Sequence, residues 1–308
     1  MGIMISHHTR TRVPDGPSTA QLAAEVEGRL RQADKLVLPL EQTLDLLAQL
    51  QEFELGRFLL HNRGLNGYWT SYIFQYSPGD ATSSPVEHWL LNNSLLRGGR
   101  ERFHRFKAQV AECVTEAAVL ASIPCGAMDD LVQQDYRSVE RFTLVGVDVD
   151  AESIELAREN AAKHGIVQHC EFLVRDAWQL DLDGELDLVV SNGLNMYESD
   201  PRRLAALYRN FSRALRPGGQ LLLSFLPPPP PPPWEAPDRA GEWDRYGVTE
   251  EDLRNELSLF GDILQVRYLN FATEAEVRAQ LAEAGLTVRS VTYSSTGVMP
   301  IVSAVRLS

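Results

Sequence analysis

Residues Ala118 to Val132 read AVLASIPCGAMDDLV. Val119, Leu120, Ala121 and Ile123 form an apolar run of strand length. Pro124, Cys125 and Gly126 break it, and Asp129 and Asp130 lead into a helical segment. A strand that turns sharply into a helix leaves backbone N–H groups directed outward at the strand's carboxyl end. In an open α/β sheet that edge is where ligands bind. About 22 residues after Gly126, the run Thr143 to Asp148, TLVGVD, ends in an acid. An acid at the tip of the second strand is placed to accept hydrogen bonds from a ribose. The order and spacing of these two features point to a cofactor that carries a nucleoside.

The alternation continues along the chain. Apolar runs predict strands at about 118–123, 143–148, 170–174, 186–191 and 220–225. AESIELARENAAK, 151–163, reads as a helix with Asp150 as N-cap and Gly165 just past its end. A second helix covers 201–215 and is closed by Arg216-Pro217-Gly218-Gly219. Strand and helix in turn imply a doubly wound, mostly parallel α/β sheet. Helices follow at 249–257 and 274–284. Two last strands, about 287–293 and 300–306, are joined by STGVMP, a connection short enough for an antiparallel hairpin. The sheet is then seven-stranded with an antiparallel last strand.

Ahead of the sheet the pattern is helical. Residues 1–17 are expected to be a flexible arm and 18–115 a helical cap or lid region. Ser18 or Thr19 is placed to cap the first helix, and Leu22, Val26 and Leu30 repeat at helical spacing. Residues 86–93 and 100–119 read as further helices. The cluster Arg97, Arg100, Arg102, Arg105 and Lys107 on the last of these reads as a solvated face. Residues 116–308 form the sheet domain, interrupted at 227–270 by an insertion near the active site. The insertion opens with seven consecutive prolines, Pro227 to Pro233. Such a run takes the polyproline II conformation and enters neither helix nor central strand. It suits a stiff wall over a ligand crevice or a ligand for a proline-binding partner.

Charge and cysteine content narrow the function. The formal net charge is −13, which opposes binding to a nucleic-acid backbone. Cys113, Cys125 and Cys170 make an odd, sparse set with neither a disulfide framework nor a metal-ligand spacing. His7, His8, His88, His104, His164 and His169 are scattered, so no metal is expected. The polar N-terminus lacks the apolar core of a signal peptide, and no run reaches the roughly 18–20 apolar residues of a membrane span. The expectation is a soluble cytoplasmic protein.

Taken together, five segments resemble the class I S-adenosylmethionine-dependent methyltransferases over about residues 100–308. Ser122-Ile123-Pro124-Cys125-Gly126-Ala127-Met128 is similar to the family's first loop, an acid-x-Gly-x-Gly-x-Gly motif. Val145-Gly146-Val147-Asp148 resembles the second motif with its ribose-binding acid. Arg175-Asp176-Ala177-Trp178 resembles the adenine-binding loop after strand three. Leu186 to Asn192 resembles the fourth strand leading to the active site, and Leu215-Arg216-Pro217-Gly218-Gly219 the turn before strand five. The first loop departs from the pattern. Ser122 stands where an acid is usual, Pro124 replaces the first glycine and Met128 the last. A serine makes no charged pair with the methionine ammonium, which leaves that role to Asp129, Asp130 or a backbone carbonyl.

The resemblance implies S-adenosylmethionine as cofactor and a Rossmann-like methyltransferase fold. It implies cofactor contacts from Ser122, Pro124, Cys125, Gly126, Asp148, Val149, Asp176, Ala177, Trp178, Ser191 and Asn192. Asp176 also reads as a helix cap, and Trp178 as a core residue. Asn195 and Tyr197 follow strand four, near the methyl group, or only shape that loop. In the helical region, His61 to Tyr72 alternates aromatic and polar residues around Gly64 and Gly67. This composition suits a hinged lid over the acceptor. Arg63, Asn66, Trp69, Tyr72 and Asn195 are then the substrate candidates. His61, Tyr68 and Tyr197 are the candidates to take a proton from an O-linked acceptor. The plainer reading is an interhelical loop with Trp69 and Tyr72 in the core. The expected function is O- or N-methylation of a small-molecule metabolite, with a homodimer as one assembly open to the chain. The alternatives are a non-catalytic module of the same fold that recruits a partner through its prolines, and a cofactor-dependent enzyme that does not transfer methyl.

Overall fold

The computed structural model describes residues 16–266 and 270–307. His7, His8 and nearly all of the expected N-terminal arm lie outside the described residues. The first helix, α1 (Thr19–Arg31), opens with a capping box. Ser18 Oγ accepts from Gln21 N at 3.2 Å, and Ser18 N donates to Gln21 Oε1 at 2.7 Å. α2 (Leu40–Leu50), α3 (Glu54–Asn62), α4 (Gly67–Gln75) and α5 (Pro85–Asn92) follow. Arg63 ends α3 in the left-handed region at φ 53°, and Asn66 caps α4 by accepting from Trp69 N at 2.9 Å. The break foreseen around Gly64 and Gly67 therefore separates two short helices.

α6 (Ser94–Ala111) differs from its expected span of 100–119 at both ends. It runs through Gly98 and Gly99, which the expected span left outside. A Cβ on Gly98 would stand 3.1 Å from Thr296 Oγ1 and 3.4 Å from Val298 Cβ. The glycine thus permits a close approach without ending the helix. At the other end Ala117 turns the chain at φ 61°, and its N–H donates to Arg141 O, so the next residues enter the sheet. The arginine cluster is also not uniformly solvated: Arg100 and Arg102 are each only 7% exposed.

The strands are β1 (Ala118–Ser122), β2 (Phe142–Asp148), β3 (Cys170–Val174), β4 (Leu186–Ser191), β5 (Leu215–Ser224), β6 (Leu286–Thr292) and β7 (Ile301–Arg306). They form one sheet in the order β3-β2-β1-β4-β5-β7-β6, with only β7 antiparallel to its neighbours. β5 begins earlier than expected because Leu215 pairs with Leu186 ahead of the Arg216–Gly219 irregularity. The remaining helices are α7 (Asp129–Val132), α8 (Ala151–Lys163), α9 (Pro201–Ala214), α10 (Glu250–Leu257) and α11 (Glu274–Glu283).

Alternating side chains of each strand enter two cores. Ala121, Val145, Val189, Leu221 and Leu223 pack with Leu207, Phe211 and Leu281 of α9 and α11. Leu120, Leu144, Leu188, Val190 and Leu222 pack with Phe106, Leu131 and Ala157 of α6, α7 and α8. The order of strands reverses between β1 and β4, and this switch point leaves a crevice at their carboxyl ends.

Contacts divide the chain into two units. One comprises Gly98–Pro229 and the described part of Tyr268–Ser308; it holds the whole sheet. The other joins the described part of Met1–Arg97 to that of Pro230–Arg267. The sequence boundary at 115/116 and the treatment of 227–270 as a piece of the sheet domain differ from this partition. Within the helical unit, Trp243 Nε1 donates to Pro231 O at 2.8 Å, and the Arg254 guanidinium lies 3.9 Å from the centre of the Trp234 ring. The far end of the proline run is fastened by the chain's own aromatic residues.

Candidate cofactor site

The site is built at the carboxyl edge of β1, β2 and β4. The chain leaves β1 at Ser122 and passes a cis Ile123–Pro124 bond, and Ile123 N donates to Val190 O at 2.8 Å. Cys125 N then donates to Val147 O at 2.9 Å, so the loop is sewn to both neighbouring strands. Gly126, at φ 51°, donates its N–H to Asp148 Oδ2 at 3.1 Å. The other oxygen, Asp148 Oδ1, accepts from Asp150 N at 3.1 Å. Asp148 is 8% exposed. Burial raises its pKa, against the hydrogen bonds from Asp150 and Gly126. A carboxylate has about four acceptor positions, so these backbone N–H groups leave acceptor capacity on Asp148 unused.

The loops beyond are tied to the same point. Arg175 N donates to Asp148 O at 2.8 Å, which brings the β3 loop beside the β2 tip. There Asp176 caps a 3₁₀ turn by accepting from Trp178 N at 2.9 Å, and Ala177 is buried. Trp178 donates its Nε1–H to Arg203 O at 2.8 Å, and the Arg203 guanidinium lies 4.7 Å from its ring centre. That cation covers one ring face. Val149 is 52% exposed and offers apolar surface next to Asp148. At the end of β4, Ser191 Oγ and Asn192 Oδ1 are buried with no hydrogen-bond partner. Uncompensated polar atoms of this kind are costly, and at a strand's carboxyl end they make this a candidate ligand position.

After β4, Gly193 takes φ 99° and a 3₁₀ turn, Leu194–Tyr197, follows. Asn195 is 2% exposed, and its backbone O accepts from Asn270 Nδ2 at 3.0 Å. Tyr197 is 38% exposed as a residue, yet burial of its hydroxyl end raises its pKa while Arg102 opposes the rise. The Arg102 guanidinium lies 3.6 Å from where a Cβ would stand on Gly193, which places this buried cation beside the β4 loop. No sequence pattern distinguished Arg102 from its arginine-rich neighbours.

The first loop's missing glycines have a structural counterpart. Met128 takes the left-handed conformation at φ 56° and is fully buried. Its Sδ would stand 3.0 Å from a Cβ on Gly146, with Cys125 Sγ and the Phe172 ring each 3.3 Å away. The close approach of loop to strand is thus made by a glycine in β2. A glycine inside a strand pattern was the available signal.

The candidates from the helical region sit in the other unit. His61 Nε2 and Thr19 Oγ1 are 3.0 Å apart. Trp69 is 5% exposed and packs edge-on to Tyr68 at 5.1 Å and Tyr72 at 5.4 Å between ring centres. Asn66 caps α4, and Arg63 is exposed at the end of α3. Each of these side chains has a place in the helical unit's own architecture.

A family model described as a methyltransferase domain matches residues 125–219. The chain is similar to a protein of known structure from Bordetella parapertussis described as a possible exported protein. Identity is 33% over 97% of this chain and 100% of that one, with a TM-score of 0.85. It also shares its fold with the magnesium protoporphyrin IX methyltransferase of Synechocystis PCC 6803, solved with S-adenosylhomocysteine. There identity is 17% over 78% of this chain and 94% of that one, with a TM-score of 0.52. No curated protein matches the chain. The strand order, the Gly126–Asp148 pair at the switch point and the matching family model lead to one assignment: residues 125–219 carry a methyltransferase domain, set on a sheet of the Rossmann-like methyltransferase fold.

Proposed function

We propose that this enzyme transfers the methyl group of S-adenosylmethionine to an oxygen or nitrogen of a small-molecule metabolite. The observation that carries the reading is the Asp148 carboxylate, held by Gly126 N–H and Asp150 N–H beside the unpartnered Ser191 and Asn192 atoms. The bound cofactor supplies a methyl group already activated on a sulfonium. The chain's part is to grip the nucleoside at Asp148, to present the β4 end to the acceptor and to keep water away. Asp176, Ala177 and Val149 supply the rim for the adenine. Tyr197 is the candidate on the sheet unit to take a proton from a hydroxyl acceptor; burial raises its pKa, and Arg102 offsets only part of that rise.

A small acceptor is supported by the charge of −13, which repels a phosphate backbone. Among the described residues no helix is long and apolar enough to cross a membrane. The lid assignment for His61 to Tyr72 rests on the αL turn at Arg63 between two short helices, a position able to absorb a hinge movement. The cytoplasm is the compartment of this reading, because the cofactor is made there; the Bordetella protein's description as possibly exported makes fractionation a direct check.

The test is transfer of labelled methyl from S-adenosylmethionine into fractionated metabolite extracts. Label entering small organic molecules, reduced at least about tenfold in kcat by Tyr197→Phe with S-adenosylhomocysteine affinity unchanged, supports the reading. Label entering only protein or RNA overturns the acceptor class.

A further inference from the structure

We propose that Asp130 is the acid that receives the methionine ammonium of the cofactor, acting with Ser122 from the first turn of α7. The inference rests on the family assignment. It concerns the place where this chain departs from the family's motif. β1 ends in a serine, which carries no charge, yet a carboxylate is brought to it from eight residues further on. Ser122 Oγ donates to Asp130 Oδ2 at 2.9 Å, and both residues are buried, at 3% and 4% exposure. Asp130 Oδ1 accepts from Leu131 N at 3.1 Å, which fixes the carboxylate in place. The hydroxyl and the carboxylate together occupy the tip of β1, one turn of chain from Gly126.

Asp129 does not compete for this role. Its Oδ1 accepts from Asn160 Nδ2 at 3.0 Å and Gln133 Nε2 at 2.8 Å, so it is turned towards α8. Among the described residues, the groups that act most on Asp130 are acids or neutral donors. Asp129 adds repulsion from α7, the Cys125 thiol and Tyr136 hydroxyl lie in its field, and Ser122 and Leu131 give hydrogen bonds. Asp148 stands across the loop, held by Gly126. Of the cations on the neighbouring helix α6, Lys107 directs its Nζ to Gln133 Oε1 at 2.9 Å, and Arg102 lies beside Gly193. A bound ammonium would give this buried carboxylate a counter-charge at hydrogen-bond distance.

One consequence separates this role from a structural one. Burial raises the Asp130 pKa to about 7. An arriving ammonium stabilises the ionised form, so cofactor binding at pH 6 expels the proton from Asp130. Calorimetric titration of the full chain with S-adenosylhomocysteine, in buffers of different ionisation enthalpy at pH 6 and pH 8, counts that proton. 5′-Methylthioadenosine keeps the nucleoside and lacks the amino acid, and so serves as the second probe.

The wild type is expected to release close to one proton per S-adenosylhomocysteine at pH 6 and far less at pH 8. Methylthioadenosine binding should release none. Asp130→Asn should weaken S-adenosylhomocysteine at least about tenfold, abolish the proton release and leave methylthioadenosine unchanged. Ser122→Ala should weaken the same ligand by a smaller factor. Unaltered S-adenosylhomocysteine affinity in Asp130→Asn, or equal weakening of both ligands, overturns the proposal. Failure of the wild type to bind either ligand overturns the cofactor assignment itself.

Discussion

Met128 Sδ and the α-carbon of Gly146 are so close that a β-carbon on Gly146 would meet the sulfur at 3.0 Å. Two residues from different motifs thus solve one packing problem: the loop carries the bulk and the strand carries the glycine. Cys125 Sγ and Phe172 close the other sides at 3.3 Å, so a methyl group there has no direction in which to escape. Gly146→Ala is expected to destabilise the protein by about 1–3 kcal/mol, the usual cost of overpacking a core. Met128→Ala in the same chain should recover part of the loss. Denaturant titration of the two single variants and the double variant measures it; additive losses would show that the sulfur is not the obstacle.

Asp148→Ala removes the acceptor that Gly126 N–H and Asp150 N–H share, together with the acceptor capacity proposed to take the ribose. Hydrogen bonds to a charged group contribute roughly 1.5–3 kcal/mol each. The affinity for S-adenosylhomocysteine should fall by at least about tenfold, and methylthioadenosine, which keeps the ribose, should fall with it. A variant that binds both as the wild type does would remove the nucleoside from this edge of the sheet.

The Asp130 carboxyl imposes a pH dependence on stability. Its pKa rises from 3.8 to about 7 through burial. Between those values the folded chain holds more protons than the unfolded one, so stability falls as pH rises, by up to about 1.4 kcal/mol per pH unit. The penalty is absent below the unfolded pKa and complete above the folded one. Asp130→Asn should therefore unfold at higher denaturant than the wild type at pH 8.5, with a smaller advantage at pH 6. The same advantage at both pH values would mean that the carboxyl is not the titrating group.

Glu101 braces the 294–299 turn against α6. Its carboxylate accepts from Ser295 N at 3.0 Å and Ser295 Oγ at 2.6 Å, and it pairs with Arg105 at 2.7 Å. Burial raises its pKa, but the bonds from Ser295 and Arg105 outweigh that and leave it lowered. A lowered carboxylate stabilises the fold above its unfolded pKa of 4.5 and loses that contribution as pH falls through the folded value. Glu101→Gln should cost about 1–2 kcal/mol at neutral pH. Thermal unfolding at pH 7 checks it, and an unchanged Tm would show that the turn is held by other contacts.

The alternation of strand and helix, the closing antiparallel hairpin, the helix α8 with its Asp150 cap and the acid at the tip of β2 were all legible in the chain. Each is a local pattern: apolar runs of strand length, a capping residue, an acid at fixed spacing from Gly126. Such patterns follow from backbone geometry and near-neighbour chemistry, which the order of residues determines by itself. What the tertiary structure alone decided are encounters between segments. Asp130 was one of several candidates for the missing acid until its carboxylate stood 2.9 Å from Ser122 Oγ and Asp129 turned to Asn160. Gly98 lay outside the helix expected from residue 100 until the structure set it inside α6 against Thr296, and Arg102 looked solvated until its helix buried it beside Gly193. The residue types in these pairs are ordinary. Only packing, which fixes how closely two distant stretches approach and which charges lose their water, assigns them a role.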